Sequence, residues 1–531
     1  MVALPQAMAY AAIAGVNPVF GIYTAIVPTL VGALAGSSNF LITGPSNASS
    51  LVTYSVLTQT NAPLMFIEIA FILAIISGLI KLVLGLLRMG GIVRYISNSV
   101  LTGFLGAIGI LITLEQFGNL FGIVIPKNQG ALAILLATYH KIPEINPHVL
   151  ITSAGCIAFM VIVHKIDRRL PASMLAIIFG ALLVAVAGWH GQGVKLVSDL
   201  GLPTNPGLAF HIPQAPLQNI LAILPAAGAV ALFSLIEAMS IARALSLSSG
   251  EKFDPSREFI AQGLASIAGG FMHCIPSSGS PSRSAVNYNA GAKTRLAAAF
   301  SGIFVWLMLI LFSAWIGIVP MSGLAAVVVV SAISLIDIEQ IRLTWNTRMM
   351  SRIVLVTTMA ATLLLPLQNA IYVGVILTII IYLYESSHLQ ISYLVFDKSG
   401  HIHEKPIREL FECCPKVAVL NVEGNLSFGA VNELEDCINR CKQAGVKVLV
   451  LRMRRMRGLS STGITTLQGV LISAQKAGMT ILLSGVSPKT RTILNTSKIN
   501  QLIGEANIFG STEILFDATR QAVEQAEILT Q

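Results

Sequence analysis

From its first residues to about position 386 the chain alternates long apolar stretches with short polar breaks. The apolar segments fall at about 17–35, 46–60, 65–87, 100–122, 149–163, 172–189, 219–242, 258–274, 296–317, 319–336, 351–366 and 369–384. The longer ones approach the ~20 residues that a helix needs to cross a bilayer. With an N-terminal segment, 1–14, and a short helix at 281–290, the pattern predicts 14 helical elements. Segments 1–14, 46–60 and 281–290 are too short, or too broken by Gly and Pro, to cross alone. The chain opens on VALPQAMAYAAIAG, which reads as the second half of a first membrane helix, so the start of that helix is expected to be missing.

Beyond about residue 390 the pattern changes. KVAVLNVEG, KVLVLRMRR and TILLSGV read as strands, whereas AVNELEDCINRCKQAG, STGITTLQGVLISAQKAG and 513–529 read as helices. Alternating strands and helices predict a small α/β domain. Charge changes at the same place. Only 11% of all residues are charged, against roughly 25% in soluble domains. Residues 1–386 hold 18 Lys+Arg and 12 Asp+Glu, and the much shorter 387–531 hold 16 and 13. The expected organisation is a membrane domain over 1–386, with repeats at about 1–190 and 215–386, and a soluble domain over 390–531.

Loop charges orient the array. If the chain enters from the cytoplasm, the cytoplasmic connections carry thirteen cations, among them Arg88, Arg94, Arg168, Arg169, Arg257 and Arg295. The outer connections carry only Lys127, Lys141 and Lys195. This positive-inside bias predicts a multi-pass protein of the cell membrane with a cytoplasmic C-terminal domain. Lys81 is expected to snorkel to the cytoplasmic face and Glu115 to be structural.

The segment 275–295, IPSSGSPSRSAVNYNAGAKTR, carries the candidate chemistry. Arg283 lies between two apolar spans, where a cation is costly unless it faces an anion, a partner or a water-filled cavity. Ser280 suits a helix N-cap and Pro281 the first helical position. Ser282 and Arg283 would then open a helix whose free N–H groups and dipole favour an anion. A faint internal repeat supports this site. Gln6–Ala11 resembles Glu237–Ala242, and Pro45–Ser49 resembles Pro281–Ala285, in the same order and at nearly the same offset. Inverted repeats with broken helices point to a transporter site near the midplane. The pairing predicts two half-helices, at 45–60 and 281–290, with facing N-termini and Pro at the first position of each.

LPQAMAYAAIAGVNPVFGIYTAIVP, LIEAMSIARA and SPSRSAVNYNAGAKT together resemble the sulfate permease family, which includes the animal multifunctional anion exchangers and prestin. The resemblance implies a polytopic α-helical membrane protein. Its 14 elements would form a 7+7 inverted repeat, with a core domain moving against a gate domain in the manner of an elevator. It implies a secondary active transporter of inorganic oxyanions, with proton-coupled sulfate transport as the first expectation. Sodium-coupled bicarbonate transport, dicarboxylate transport and an anion-responsive channel or sensor are the alternatives. It places the substrate among Gln6, Tyr10, Ser46, Asn47, Ser282 and Arg283, with Glu237 beside them as proton-coupling group or charge partner. The run SNASS at 46–50 is more polar than the family pattern, which would suit a strongly hydrated oxyanion. EGNLSFGAVNEL and LSSTG resemble a STAS domain, in which Ser461 matches a phosphosite and Ser460 replaces the usual preceding Asp. Membrane lipid, a homodimer partner and a cytoplasmic protein bound through the STAS domain are the implied partners.

The remaining residues narrow the picture by exclusion. No phosphate loop, Ser-His-Asp set or metal-spaced histidine group occurs, so neither an enzyme nor a cofactor or metal site is expected. Arg452, Arg454, Arg455 and Arg457 form the one basic cluster, without interleaved aromatics, which argues against nucleic acid; strand alternation would put several on one face.

Overall fold

The structure is a computed structural model that describes the chain except residues 1–2, 61–64, 92–96, 126–130, 168–169, 201–207, 387, 398–400, 414 and 427–429. The loop cations Arg94, Lys127, Arg168 and Arg169 lie outside the described residues. Two compact units are present, Met1–Ile379 and Ile380–Gln531.

The first unit is helical. It begins with α1 (Ala3–Ile13), α2 (Pro18–Ala35), the two-residue strand β1 (Thr43–Gly44), α3 (Asn47–Gln59) and α4 (Phe66–Leu86). It continues with α5 (Asn98–Glu115), α6 (Phe117–Phe121), α7 (Ala131–His140), α8 (Pro147–Ile166) and α9 (Ala172–Ala187). Next come α10 (Leu217–Ser249), α11 (Pro255–Gly270), β2 (Ser278–Gly279), α12 (Pro281–Asn289) and α13 (Leu296–Ile316). It closes with α14 (Met321–Ile333), α15 (Ile338–Asn346), α16 (Met349–Leu364) and α17 (Leu367–Ser386). Fourteen of these match the expected elements; the short helices α7 and α15 were not foreseen, and α6 prolongs α5. Among the described residues, eight helices are long and apolar enough to cross a membrane.

Local sequence explains where the helices start. Asn17-Pro18, Asn146-Pro147 and Asp254-Pro255 each place a side-chain oxygen on the first free N–H groups and a proline at the first helical position. Packing follows small residues. A Cβ on Gly263 of α11 would lie 2.6 Å from Leu82 N and 2.8 Å from Gly78 O, so α4 and α11 touch backbone to backbone. In contrast, α13 exposes Phe300, Leu311 and Trp315, as expected of a lipid-facing helix.

The second unit contains β3 (Gln390–Phe396), β4 (Ile402–Pro406), α18 (Ile407–Cys413), β5 (Val417–Leu426), α19 (Ala430–Gln443), β6 (Val448–Arg452) and β7 (Met456–Leu459). It ends with α20 (Ser461–Lys476), β8 (Thr480–Val486), α21 (Pro488–Thr496), α22 (Ile499–Ile503), β9 (Ile508–Gly510) and α23 (Asp517–Thr530). The sheet order is β4-β3-β5-β6-β8-β9, with β7 beside β5. β5, β6, β8 and β9 run parallel, in register Val419↔Val450 and Val450↔Leu482. Both faces are covered. Leu449 and Leu451 pack with Leu434, Ile438, Leu467 and Leu471 of α19 and α20, and Val448 and Val450 pack with Ala522 and Ala526 of α23. Coverage on both sides is why these strands read as continuous apolar runs.

Candidate functional site

Two chain breaks meet inside the membrane unit. β1 and β2 pair antiparallel, Thr43 opposite Gly279 and Gly44 opposite Ser278. Thr43 is fixed from two sides: its carbonyl accepts from Thr29 Oγ1 at 2.6 Å and its hydroxyl from Gln262 Nε2 at 2.7 Å. The N-termini of α3 and α12 flank this strand pair, so two positive dipole ends lie beside it. Ser46 caps α3, with a reciprocal Ser46/Ser49 capping box. Pro45 therefore precedes the cap rather than occupying the first helical position, which corrects the expected symmetry with Pro281. Ser280 takes the cap position of α12 by backbone geometry, but its side chain makes no cap hydrogen bond; the expected Ser280 cap is thus only partly realised.

Arg283 is buried, 5% exposed, at the third position of α12, in its first turn. Its Nη2 donates to Pro45 O at 3.0 Å, bridging from α12 to the entrance of α3. The guanidinium packs on Gly44, where a Cβ would lie 2.5 Å from Nη2 and 2.9 Å from Nη1. Ser282 Oγ donates to Gln6 Oε1 at 3.2 Å, and the Tyr10 hydroxyl, one turn further along α1, lies beside Ser282 and Arg283. Asn47 Oδ1, Ser50 Oγ, Ser280 Oγ and Arg283 Nε are buried without a hydrogen-bond partner. Buried polar atoms nearly always have partners, so this concentration marks a place built to contact something else. An Asn amide is oriented by assignment, and a flip would turn Asn47 Nδ2 into a further donor. The set is then dominated by donors around one guanidinium, the chemistry of an oxyanion site.

Glu237, on α10, accepts from Ser278 Oγ at 2.6 Å and lies 2.9 Å from Ser46 Oγ, both through Oε2. It makes no ion pair with Arg283, so the charge-partner reading is corrected: Glu237 is held by two hydroxyls, one from each chain break. Nor does Ser234 bond it; Ser234 Oγ turns back to Ala231 O. Lys81 is a second correction. It does not snorkel outward but is fully buried, with Nζ 2.8 Å from Ser277 O and 3.0 Å from Ser266 Oγ. The physical reason is the α4–α11 contact, whose glycines bring Lys81 against the core. All seven expected membrane-site residues, Gln6, Tyr10, Ser46, Asn47, Glu237, Ser282 and Arg283, are buried or half-buried around this centre. Sequence reading missed Ser278, Gly44 and Lys81. The run SSGS offered a signal for Ser278, whereas Gly44 looked like an ordinary turn glycine.

In the second unit the arginine cluster disperses instead of sharing a face. Arg452 is buried, donates to Asn421 Oδ1 at 2.7 Å and lies over the Phe516 ring. Arg454 donates to Thr512 O, Arg455 pairs with Glu423, and the Arg457 side chain lies outside the described residues. Burial pushes the Glu423 carboxyl up, but hydrogen bonds from Asn421 and Arg455 outweigh it and hold the group below its ordinary value. Ser460 caps α20 through Gly463 N at 3.1 Å and leaves Ser461 exposed at the first helical position.

A family model described as the sulfate permease family matches residues 1–361, and one described as the STAS domain matches 411–514. The chain belongs to the sulfate permease family. It is a multi-pass membrane transporter, not an enzyme. The chloroplastic sulfate transporter 4.1 of Arabidopsis thaliana is 25% identical, over 95% of this chain and 76% of its own length. The fold matches the murine Solute Carrier 26 family member A9 anion transporter in its inward-facing state, with TM-score 0.87 and 17% identity over 99% of this chain and 89% of that one. It also matches the transmembrane domain of a cyanobacterial bicarbonate transporter, with TM-score 0.61 and 18% identity over 71% of this chain and 94% of that one. At these identities the two structures establish the fold alone.

A cavity of about 750 Å³ runs along α10 from Ile236 to Leu247, on the side of the loop cations. Arg243, Lys252 and, from α5, Asn98 line it. At the other end of α10, Tyr372 of α17 donates to Pro225 O at 2.6 Å, and Gln368 of α17 bonds Gln59 of α3.

Gly44→Ala tests the placement of Arg283. Gly44 has φ +158°, which L residues rarely adopt, so an alanine strains the chain break as well as displacing the guanidinium, and size-exclusion behaviour must first show the variant folded. Sulfate affinity of the purified protein, by equilibrium titration, is expected to fall about tenfold, which is roughly 1.4 kcal/mol. Unchanged affinity would show that Gly44 does not set the guanidinium position.

Proposed function

We propose that this protein is a secondary active transporter of inorganic oxyanions, with sulfate as its principal substrate and protons as the coupling ion. The observation that carries the reading is the buried, incompletely partnered Arg283 between the α3 and α12 N-termini, surrounded by hydroxyl and amide groups. A guanidinium recognises an oxyanion through paired N–H groups. The two helix N-termini add positive potential without adding a titratable group. Relatives named as sulfate transporters support the choice of sulfate.

The bound anion would touch Ser282, Arg283 and Asn47, with Gln6 and Tyr10 closing the α1 side and Ser46 linking the site to Glu237. Transport would move a core, α1–α4 and α10–α13, against a gate made of the remaining helices. The cavity beside Arg243 and Lys252 is the expected cytoplasmic exit, where two cations raise the local anion concentration. The protein would lie in the cell membrane as a homodimer, with its C-terminal domain in the cytoplasm. There the exposed Ser461 is available to a kinase or protein partner.

Bicarbonate is the competing substrate, because the same fold occurs in a bicarbonate transporter. An uptake panel in proteoliposomes decides between them: sulfate, bicarbonate, a dicarboxylate and chloride, at two pH values, with and without sodium. Sulfate uptake against its gradient, driven by an inward proton gradient and indifferent to sodium, is the expected result. Sodium-dependent bicarbonate uptake without sulfate transport would replace the sulfate reading. Passive anion flux alone would favour a channel.

A further inference from the structure

Lys81 is a buried charge to which the anion site, as described above, gives no role. It belongs to α4 and is 0% exposed. Its ammonium donates to Ser277 O and Ser266 Oγ, whose hydroxyl in turn bonds Ser277 Oγ at 2.9 Å. Among the described residues no carboxylate lies within ion-pair distance of it, and Glu237 is the carboxylate whose charge reaches it. Ser277 immediately precedes Ser278, which donates to Glu237 and pairs with Gly44, the residue under the Arg283 guanidinium. One ammonium therefore anchors the strand that connects both charged side chains of the site.

The charges that meet here are few. Arg283 comes from α12, Glu237 from α10 and Lys81 from α4, with the phenol of Tyr10 opposite. Glu258 of α11 is engaged elsewhere, accepting from the Ser37 and Ser38 N–H groups at 2.9 and 3.1 Å. With Glu237 ionised, Lys81 and Arg283 leave the centre one unit positive. A buried ammonium without an ion-pair partner is costly, and an arriving anion offsets that cost. The number of charges the site accepts thus depends on Lys81 as much as on Arg283.

We propose that Lys81 is a positioning and valence-determining residue for anion transport. Its ammonium holds the Ser277–Ser278 strand in place and supplies the second positive charge that lets the site accept a doubly charged oxyanion. The inference rests on the anion-site reading above and extends it. A purely structural Lys81 would affect all anions alike, whereas a charge-compensating one must separate divalent from monovalent anions. Without Lys81, the centre is neutral with Glu237 ionised, and a dianion leaves it doubly negative.

The test is isothermal titration of the purified full-length protein with sulfate and with nitrate, a monovalent oxyanion of similar donor demand. Lys81→Met is expected to lose at least tenfold in sulfate affinity while nitrate affinity changes less than threefold. Lys81→Gln keeps a donor for Ser277 O without the charge and should show the same separation if the methionine variant fails to fold. Lys81→Arg restores the charge and should recover the wild-type sulfate-to-nitrate ratio. An unchanged ratio in Lys81→Met and Lys81→Gln overturns the proposal, whether both affinities are kept or both fall together. Wild-type protein that binds neither anion would overturn the anion-site reading itself, and this proposal with it.

Discussion

Arg283→Ala is expected to abolish sulfate uptake while leaving a folded protein in the membrane. The guanidinium stands at the crossing of α1, α3 and α12, and among the described residues its one hydrogen bond is to Pro45 O. A unit charge about 4 Å from an anionic charge contributes about 4 kcal/mol at the effective dielectric of about 20 that suits partly buried sites. Removing it should weaken anion binding on the order of 10³-fold. Water in the space left by the side chain cannot replace a fixed charge. The fold should survive, because α12 keeps Pro281 at its first position and the β1–β2 pair does not use the side chain. Arg283→Lys should retain part of the uptake, since a point charge replaces a planar fork. Radiolabelled uptake and equilibrium binding, with size-exclusion behaviour as the folding control, check this. Wild-type uptake and affinity in Arg283→Ala would remove the central site from the proposed mechanism.

Glu237→Gln is expected to separate anion binding from proton coupling. The geometry makes the substitution unusually clean. Ser46 and Ser278 both address one carboxylate oxygen, Oε2. A glutamine carbonyl can occupy the same place and accept the same hydroxyls, so the α3 cap and the β2 strand keep their anchor. What is lost is the charge and the site for a proton. A carboxylate beside an incoming dianion is repelled by it, so binding should favour the protonated state. A proton entering with the anion would offset one of its charges. The glutamine variant should therefore bind and exchange sulfate but lose acceleration by low outside pH. Counterflow and affinity across pH separate this from the view that Glu237 only maintains structure, which demands loss of binding at every pH. Uptake that keeps its full dependence on the proton gradient would assign coupling to another group.

Both expectations depend on contacts that the chain order alone does not display. Residues 46, 237 and 278 are remote in sequence and meet only because two half-helices break at the same depth. The dipeptide strands that align them, Thr43–Gly44 and Ser278–Gly279, are too short to leave a β pattern. Gly44 shows the limit most clearly: its importance lies in the guanidinium packed against it, which its neighbours in sequence do not reveal. Lys81 misleads in the opposite direction. A lysine near the end of an apolar helix ordinarily snorkels, but the small residues of α4 and α11 draw these helices so close that its side chain turns inward.

The arginines of 452–457 show a similar override in the second unit. Alternation along an ideal strand would place several on one face, but β6 ends at Arg452 and the chain turns before β7. Arg452 then goes under Phe516, while Arg455 reaches Glu423.

What the sequence by itself determined is whatever a local or periodic rule controls. Fourteen of the helices followed from apolar length, the start of α12 from Ser280-Pro281, and the small α/β domain from alternating strand and helix patterns. The candidacy of Arg283 followed from the cost of a cation between apolar spans. Tertiary structure alone decided which groups share the charged centre, because the α4–α11 contact and the β1–β2 pair bring together residues from four separate helices. Charge placement in a low-dielectric interior is a sum over all neighbours in space. The roles of Glu237, Ser278 and Lys81 are therefore properties of the packed core, not of any one segment.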